Sequence, residues 1–387
     1  MRAEQALAGE LARGAGEQRG RLIERTLALA STDAPSGGGP AALAAAADQI
    51  AAELAALGGV LARTPTPAGE LLELRIGAGT EAPVLVLGHY DTVWPQGTAA
   101  ERPPTLDGDV ISGPGVFDMR GGIAAALGAI ELLGPERLGA PLVALMTPDE
   151  ETGSASSRER IVEVGVAARC VLVLEPPLPG GALKTARSGW AVYRLAARGR
   201  SAHAGIDPQR GVNAIEELCD ALLEVRSIAD RTQGTLINVG AIAGGTLANV
   251  VAAEAHALLD LRVTGAAEQR RVDEALAALE PRRSGAALEV EQLHARAVME
   301  RTAPIAAAYA HARDLAALLG DELGEGSVAG TSDANLLAHR GVAVLDGLGP
   351  DGGGAHAIDE HISVDALVAR CALIALLLAL PPAGGGR

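Results

Sequence analysis

Aromatic side chains make up only 2% of the 387 residues, and there is one phenylalanine. A packed interior must therefore be assembled from alanine, leucine and valine, which the 48% hydrophobic content can supply. Lysine occurs once, at Lys184, and acids outnumber bases to leave a formal net charge of -16. That balance argues against nucleic acid or an anionic membrane as partner, since both need clustered Lys and Arg. Cysteine is as scarce: Cys170, Cys219 and Cys371 stand far apart, with no Cys-x-x-Cys. They build neither a disulfide framework nor a thiolate zinc site, and a reducing cytoplasm is the expected compartment. No apolar run has the ~20 residues of a membrane span. Residues 366–380 come nearest, but Arg370 interrupts them and they read as a buried C-terminal helix. Residues 1–30 carry charge in a helical pattern and lack the apolar segment of a signal peptide.

What the chain does have is one recurring event. Val84-Leu85-Val86-Leu87-Gly88 is apolar without alternation, the pattern of a strand buried on both faces of a parallel sheet. His89 and Asp91 follow at once. Two residues apart in extended chain, they project to the same side, at the edge where open α/β sheets bind ligands. Residues 142–146 form a second such run, ending in Asp149-Glu150-Glu151. Residues 170–174 form a third, ending in Glu175, and residues 342–345 a fourth, leading through a glycine-rich loop to His356. Asp118 opens a helix at residues 123–133. Acids and imidazoles gathered at one sheet edge, with no cysteine, suit zinc or a similar divalent ion held by N and O ligands. Each residue alone has a plainer reading. Glu175 before two prolines suits a solvated loop, Arg262 the wet face of an alternating strand, His203 a bystander in a small-residue loop, and His361 competes with His356. Gly113-Pro-Gly115 is too short for a dinucleotide-binding turn.

At this length two domains are expected. The pattern predicts helices at residues 4–30 and 41–57, a strand at 71–76, and an α/β domain of mostly parallel sheet flanked by helices. Between residues 188 and 297 the order becomes β-α-β-β-α-β, the split unit of ferredoxin-like folds. The economical organisation is a catalytic metallohydrolase domain in two parts, 1–187 and 298–387, with an inserted α+β lid and dimerisation domain at 188–297. The Gly-rich tail from Pro381 is expected to fray.

Taken together, the motifs resemble the zinc peptidase and amidohydrolase family of glutamate carboxypeptidase, aminoacylase and succinyl-diaminopimelate desuccinylase. The resembling pieces are Gly88-His-Tyr-Asp-Thr-Val93, Gly113-Pro-Gly-Val-Phe-Asp-Met-Arg-Gly-Gly122, Asp149-Glu-Glu-Thr-Gly153 and Glu175-Pro176. Ser201-Ala-His-Ala-Gly205, Gly330-Thr-Ser-Asp333 and Gly353-Gly-Ala-His356 follow in the family's order. The glutamate carboxypeptidase branch is the most similar, through Asp-Thr-Val-Trp and Gly-Thr-Ser-Asp.

The resemblance implies two divalent ions per chain, Zn2+ before Co2+ or Mn2+, bridged by Asp118. His89 and Glu175 would complete one site, Glu151 and His356 the other. Asp91 would orient His89, and Glu150 would be the general base. His203 would reach the oxyanion from the partner subunit of a homodimer formed through residues 188–297. Asn249 and Arg262 would hold the free carboxylate of a small peptide or N-acyl amino acid. Arg120 stands where the family more often has lysine. The implied activity is a glutamate-type carboxypeptidase. An N-acyl-amino-acid amidohydrolase or dipeptidase is the enzyme alternative, and a metal-stabilised amino-acid-binding protein the non-enzyme one.

Overall fold

The computed structural model describes residues 2–77 and 79–383; the tail expectation for residues 384–387 lies outside them. The chain divides into two compact units. One comprises Met1–Thr185, Arg301–Ser327 and Ser332–Arg387; the other comprises Ala186–Glu300 and Val328–Thr331.

The first unit is built on a sheet whose centre is parallel. Its four parallel strands are β1 (Val84–His89), β2 (Leu142–Thr147), β3 (Cys170–Val173) and β4 (Val344–Asp346), lying side by side in the order β2-β1-β3-β4. Every residue of the four is buried, which is why their sequences show no polar alternation. Register aligns their carboxyl ends: His89 sits beside Thr147, and Leu87 beside Val173. The segments that follow β1, β2, β3 and β4 therefore leave the sheet at one edge. Further strands extend the sheet on both sides: Glu70–Ile76 runs antiparallel to β2 and pairs antiparallel with Val60–Pro65 at one end, and Leu183–Arg187 runs antiparallel to β4 with Glu325–Val328 beyond it at the other. Lys184, the chain's single lysine, is buried in the strand Leu183–Arg187.

Helix Gly121–Leu133 and the C-terminal helix Val364–Ala379 are both strongly apolar and pack together in the core. The helix predicted over residues 4–30 is two helices, Arg2–Glu17 and Arg19–Ala30, meeting at Gln18. Gly14, Gly16 and Gly20 cluster at that junction, and glycine weakens helix by about 1 kcal/mol each relative to alanine. Among the described residues, no helix is long and apolar enough to cross a membrane.

The second unit has strands Gly189–Arg198, Leu236–Gly244, Glu254–Val263 and Ala287–Arg296, with helices Ala214–Ile228 and Ala266–Ala277. The strands lie antiparallel in the order second, third, first, fourth, the ferredoxin-like arrangement. Strand Glu254–Val263 alternates as its sequence does: Leu259, Leu261 and Val263 are buried, while Asp260 and Arg262 are half-exposed. Leu236–Gly244 is an edge strand, and its Leu236, Val239 and Ile242 are exposed.

Candidate active site

At the carboxyl edge of the first unit's sheet, six side chains converge from five segments. His89 ends β1 and is 2% exposed. Its Nε2 lies 3.3 Å from Asp118 Oδ1 and 3.7 Å from Glu175 Oε1. The other Asp118 oxygen, Oδ2, is 3.4 Å from His356 Nε2, and His356 Nε2 is 3.2 Å from Glu151 Oε1. Asp118 thus turns one oxygen to each imidazole. Ligand atoms of His89, Glu150 and Glu175 fall within 4.8 Å of one another, as do those of His89, Asp118 and Glu151. His356 is reached through the glycine loop and has a φ of 61°, in the left-handed region. His361 turns away, its Nδ1 facing the Asp359 carbonyl at 2.7 Å on the short strand His361–Ser363.

Asp91 organises this edge. Fully buried, it accepts from the Glu150 amide at 3.1 Å, the Glu151 amide at 3.2 Å and the Ser36 hydroxyl at 2.9 Å. Its carboxylate stands 3.4 Å from His89 Nδ1, but the closer acceptor is its own backbone carbonyl, at 3.0 Å. Orientation of His89 by residue 91 is therefore shared between main chain and side chain. Glu150 and Glu151 do not continue the strand as extended chain. They open a 3-10 turn, Glu150–Thr152, whose exposed amides need an acceptor, and Asp91 provides it. Both glutamates then reach the cluster.

The electrostatics favour cations. Burial alone would lower the basicity of His89, yet Asp118 and Asp91 outweigh it and hold the imidazole well above its usual value. His356 is pushed up to about 10 by Asp118 and Glu151. Asp118 would be raised by burial, but His356 and His89 hold its carboxyl far below the usual range. Two buried atoms at the centre, His89 Nε2 and Asp118 Oδ1, have no well-formed hydrogen bond. Orphaned N and O atoms pointing at each other among carboxylates are the donor set of a divalent ion of zinc type. The residues present fit that group.

Arg120 is 1% exposed, and neither of its terminal nitrogens has a hydrogen-bond partner. Burial pulls it down to about 10, partly offset by Asp91, Tyr90 and Glu360, so it stays charged near neutrality. It is a fixed cation set among acids, and in this chain a guanidinium fills that role.

Sequence reasoning missed Glu360. Its carboxylate is 1% exposed and accepts four hydrogen bonds: from the amides of Gly115, Phe117 and Asp118 at 2.7, 3.0 and 3.0 Å, and from Trp94 Nε1 at 2.9 Å. Burial pushes it above the ordinary range, against the pull of those donors. It lies between His356 and His361 in Asp-Glu-His, and no local pattern distinguishes it, since Ile358 and Asp359 before it are exposed.

The remaining sequence candidates belong to the second unit. His203 Nδ1 accepts from the amides of Gly205 and Ile206 at 3.1 and 3.2 Å. That fixes the tautomer of the neutral ring: the proton is on Nε2, which is left to donate. Asn249 is exposed and its carbonyl accepts from Ala204, so the two loops lie together. Arg262 is held by Asp260 at 2.9 Å and lies 5.5 Å from the Trp190 ring centroid. It borders a mainly apolar cavity of about 480 Å³ with Ser188, Leu236 and Gly330.

Comparison with known proteins fits this geometry. Peptidase family M20/M25/M40 matches residues 85–380. Carboxypeptidase G2 of Pseudomonas sp. (strain RS-16) is 30% identical over 355 residues, covering 87% of this chain and 83% of that protein. Succinyl-diaminopimelate desuccinylase of Xanthomonas oryzae pv. oryzae is 31% identical over 331 residues, covering 80% and 87%. Among solved structures, aminopeptidase PepT of Bacillus cereus shares the fold at a TM-score of 0.71 and 21% identity, over 93% of this chain and 98% of that one. A dinuclear metal-binding peptidase of Bacillus subtilis does so at 0.64 and 16%, over 94% and 98%. With most of its length matched by the family and a relative 30% identical along 87% of it, the chain belongs to peptidase family M20/M25/M40.

Proposed function

We propose that the chain hydrolyses the amide bond next to a free carboxylate, as a glutamate-type carboxypeptidase with two divalent ions, zinc first among them. Family membership makes it a metal-dependent peptidase or amidohydrolase. The observation that carries the finer reading is the convergence of His89, Asp118, Glu151, Glu175 and His356 with one further carboxylate, that of Glu150, whose backbone amide is anchored on Asp91. In this reading His89 and Glu175 hold one ion, Glu151 and His356 the other, and Asp118 faces both. Bound there, the ions polarise the scissile carbonyl and make water acidic enough to attack near neutral pH.

The chain's own groups do the rest. Glu150 takes the proton of the attacking water and returns it to the leaving nitrogen. The hydrogen bond that its backbone amide donates to Asp91 limits where its carboxylate can swing. His203 offers Nε2–H to the oxyanion, a role that suits the tautomer its two backbone donors impose. Arg262, preoriented by Asp260, takes the substrate carboxylate as a planar fork, and Asn249 assists from the loop beside His203. The apolar cavity beside Arg262 would receive the rest of the recognised amino acid. We assign dimerisation to residues 188–297, where the exposed Leu236, Val239 and Ile242 on the edge strand supply an apolar pairing surface. A cytoplasmic location accords with the three free thiols.

The second reading is an N-acyl-amino-acid amidohydrolase, favoured by the 31% identity to a desuccinylase. A panel of peptidyl-glutamates and acyl-amino acids, assayed on metal-stripped protein with Zn2+, Co2+ or Mn2+ restored, separates the two. Glu150→Gln should abolish turnover on any active substrate while bound metal is unchanged. Hydrolysis that ignores the α-carboxylate, or full turnover by Glu150→Gln, would overturn the proposal.

A further inference from the structure

Three segments that carry cluster residues meet on one carboxylate outside the cluster. Trp94 closes the segment begun by His89, the amides of Gly115, Phe117 and Asp118 belong to the loop that presents Asp118, and Glu360 itself lies four residues beyond His356. The Glu360 backbone adds a fifth tie, its carbonyl accepting from the Gly113 amide at 3.1 Å. All these residues belong to the first unit. We propose that Glu360 is a positioning residue: it knots the loops of His89, Asp118 and His356 so that their side chains converge on the divalent ions without contacting those ions itself.

The chemistry supports a specific device rather than general packing. The stretch from Gly113 to Met119 runs into a single irregular π-turn, Val116–Arg120, whose opening amides find no acceptor within the turn, and buried N–H groups without acceptors are costly. Glu360 supplies acceptors to three of them at once, and its two oxygens divide the work. Oε1 takes Phe117 and Asp118, while Oε2 takes Gly115 and Trp94. The Trp94 ring is in turn covered by the Arg102 guanidinium, 4.1 Å from its centroid, which limits the indole's freedom to turn away. Arg120, buried and charged next to Glu360, offsets the cost of keeping that carboxylate inside the protein. Outer groups of this kind set ligand geometry, and their loss commonly weakens metal binding about 10- to 100-fold.

The inference rests on the metal site proposed above, so the test separates the two. Hydrogen exchange of full-length, metal-stripped protein compares the peptide spanning residues 113–119 with β2, and Zn2+ and Mn2+ titrations give the affinities. Glu360→Gln keeps the size of the side chain but sets an NH2 among N–H donors. It should expose amides 113–119 to exchange, leave β2 protected, and weaken both ions about 10- to 100-fold. Trp94→Phe removes one donor and keeps the ring, so the loss should be about 3- to 10-fold and the fold undisturbed. Should Glu360→Gln lose protection everywhere, Trp94→Phe decides alone. Wild-type protein that binds neither ion would sink the metal site, while the exchange comparison would still judge the knot. Wild-type exchange at residues 113–119 in both variants, with unchanged affinities, would overturn the positioning role.

Discussion

Gly122→Ala should injure stability and metal binding together. A Cβ at Gly122 would lie 2.2 Å from the Leu174 carbonyl oxygen and 3.2 Å from both the Leu174 carbonyl carbon and its Cβ. The carbonyl is main chain and cannot swing aside, and it belongs to the residue before Glu175. Carbon and oxygen need about 3.3 Å, so helix Gly121–Leu133 must retreat from β3 by about 1 Å. Overpacking of a tight core costs about 1–3 kcal/mol. The same retreat moves Asp118, just ahead of that helix, away from Glu175, and a 1 Å misplacement at a reacting centre costs about 100-fold in rate. Thermal melting and divalent-ion titration of the full chain measure both. Gly9→Ala is the control, since that helical glycine meets only the Arg13 guanidinium, at 3.6 Å. There the substitution should stabilise by about 0.5–1 kcal/mol through helix propensity. A Gly122→Ala protein that melts like wild type and binds both ions normally would refute the reasoning.

Other outcomes follow from the same geometry. Asp118→Ala should lose both ions, whereas His356→Ala should weaken mainly one; elemental analysis after dialysis distinguishes them, and two retained ions in Asp118→Ala would end the bridging assignment. Arg262→Ala should raise KM strongly for substrates with a free α-carboxylate and little for their amides, so equal losses would make Arg262 structural. Glu150→Ala and His203→Ala, each inactive, should regain about a quarter of wild-type activity when mixed and allowed to exchange subunits, because half the dimers are then mixed and one site in each is intact. Verified heterodimers without activity would place His203 in its own subunit's site.

Much of this was legible because buried parallel strands announce themselves. The runs that became β1, β2 and β3 have no polar alternation, and each is followed by an acid or imidazole within a few residues. The ferredoxin-like order was readable for a similar reason, since Glu254–Val263 alternates strictly and the surface it buries alternates with it. What escaped depends on partners far away in sequence. Val60–Pro65 shows no polar–apolar alternation to signal a strand and is mostly exposed; it exists because Glu70–Ile76 offers it a ladder. Residues 328–331 join the second unit through main-chain bonds such as Ser188 N–H to the Val328 carbonyl, at 3.0 Å, which no local pattern encodes. Glu360 is the sharpest case: its meaning lies in amides 242 to 245 residues distant.

The burial of Lys184 in the strand Leu183–Arg187 has a practical corollary. Amine-directed reagents, such as activated esters, aldehydes and amine cross-linkers, meet no accessible lysine side chain anywhere among the described residues. The other strongly basic side chains are guanidiniums, which those reagents leave untouched, so the chain's α-amino group is the amine that remains for them. A lysine introduced at a chosen exposed position, for example in place of Arg198, would then be the one lysine handle on the surface. With the α-amino group blocked, dyes, surfaces and distance probes could be attached there at one point. A handle at position 198 labels the second unit, with no background of accessible native lysines to remove first.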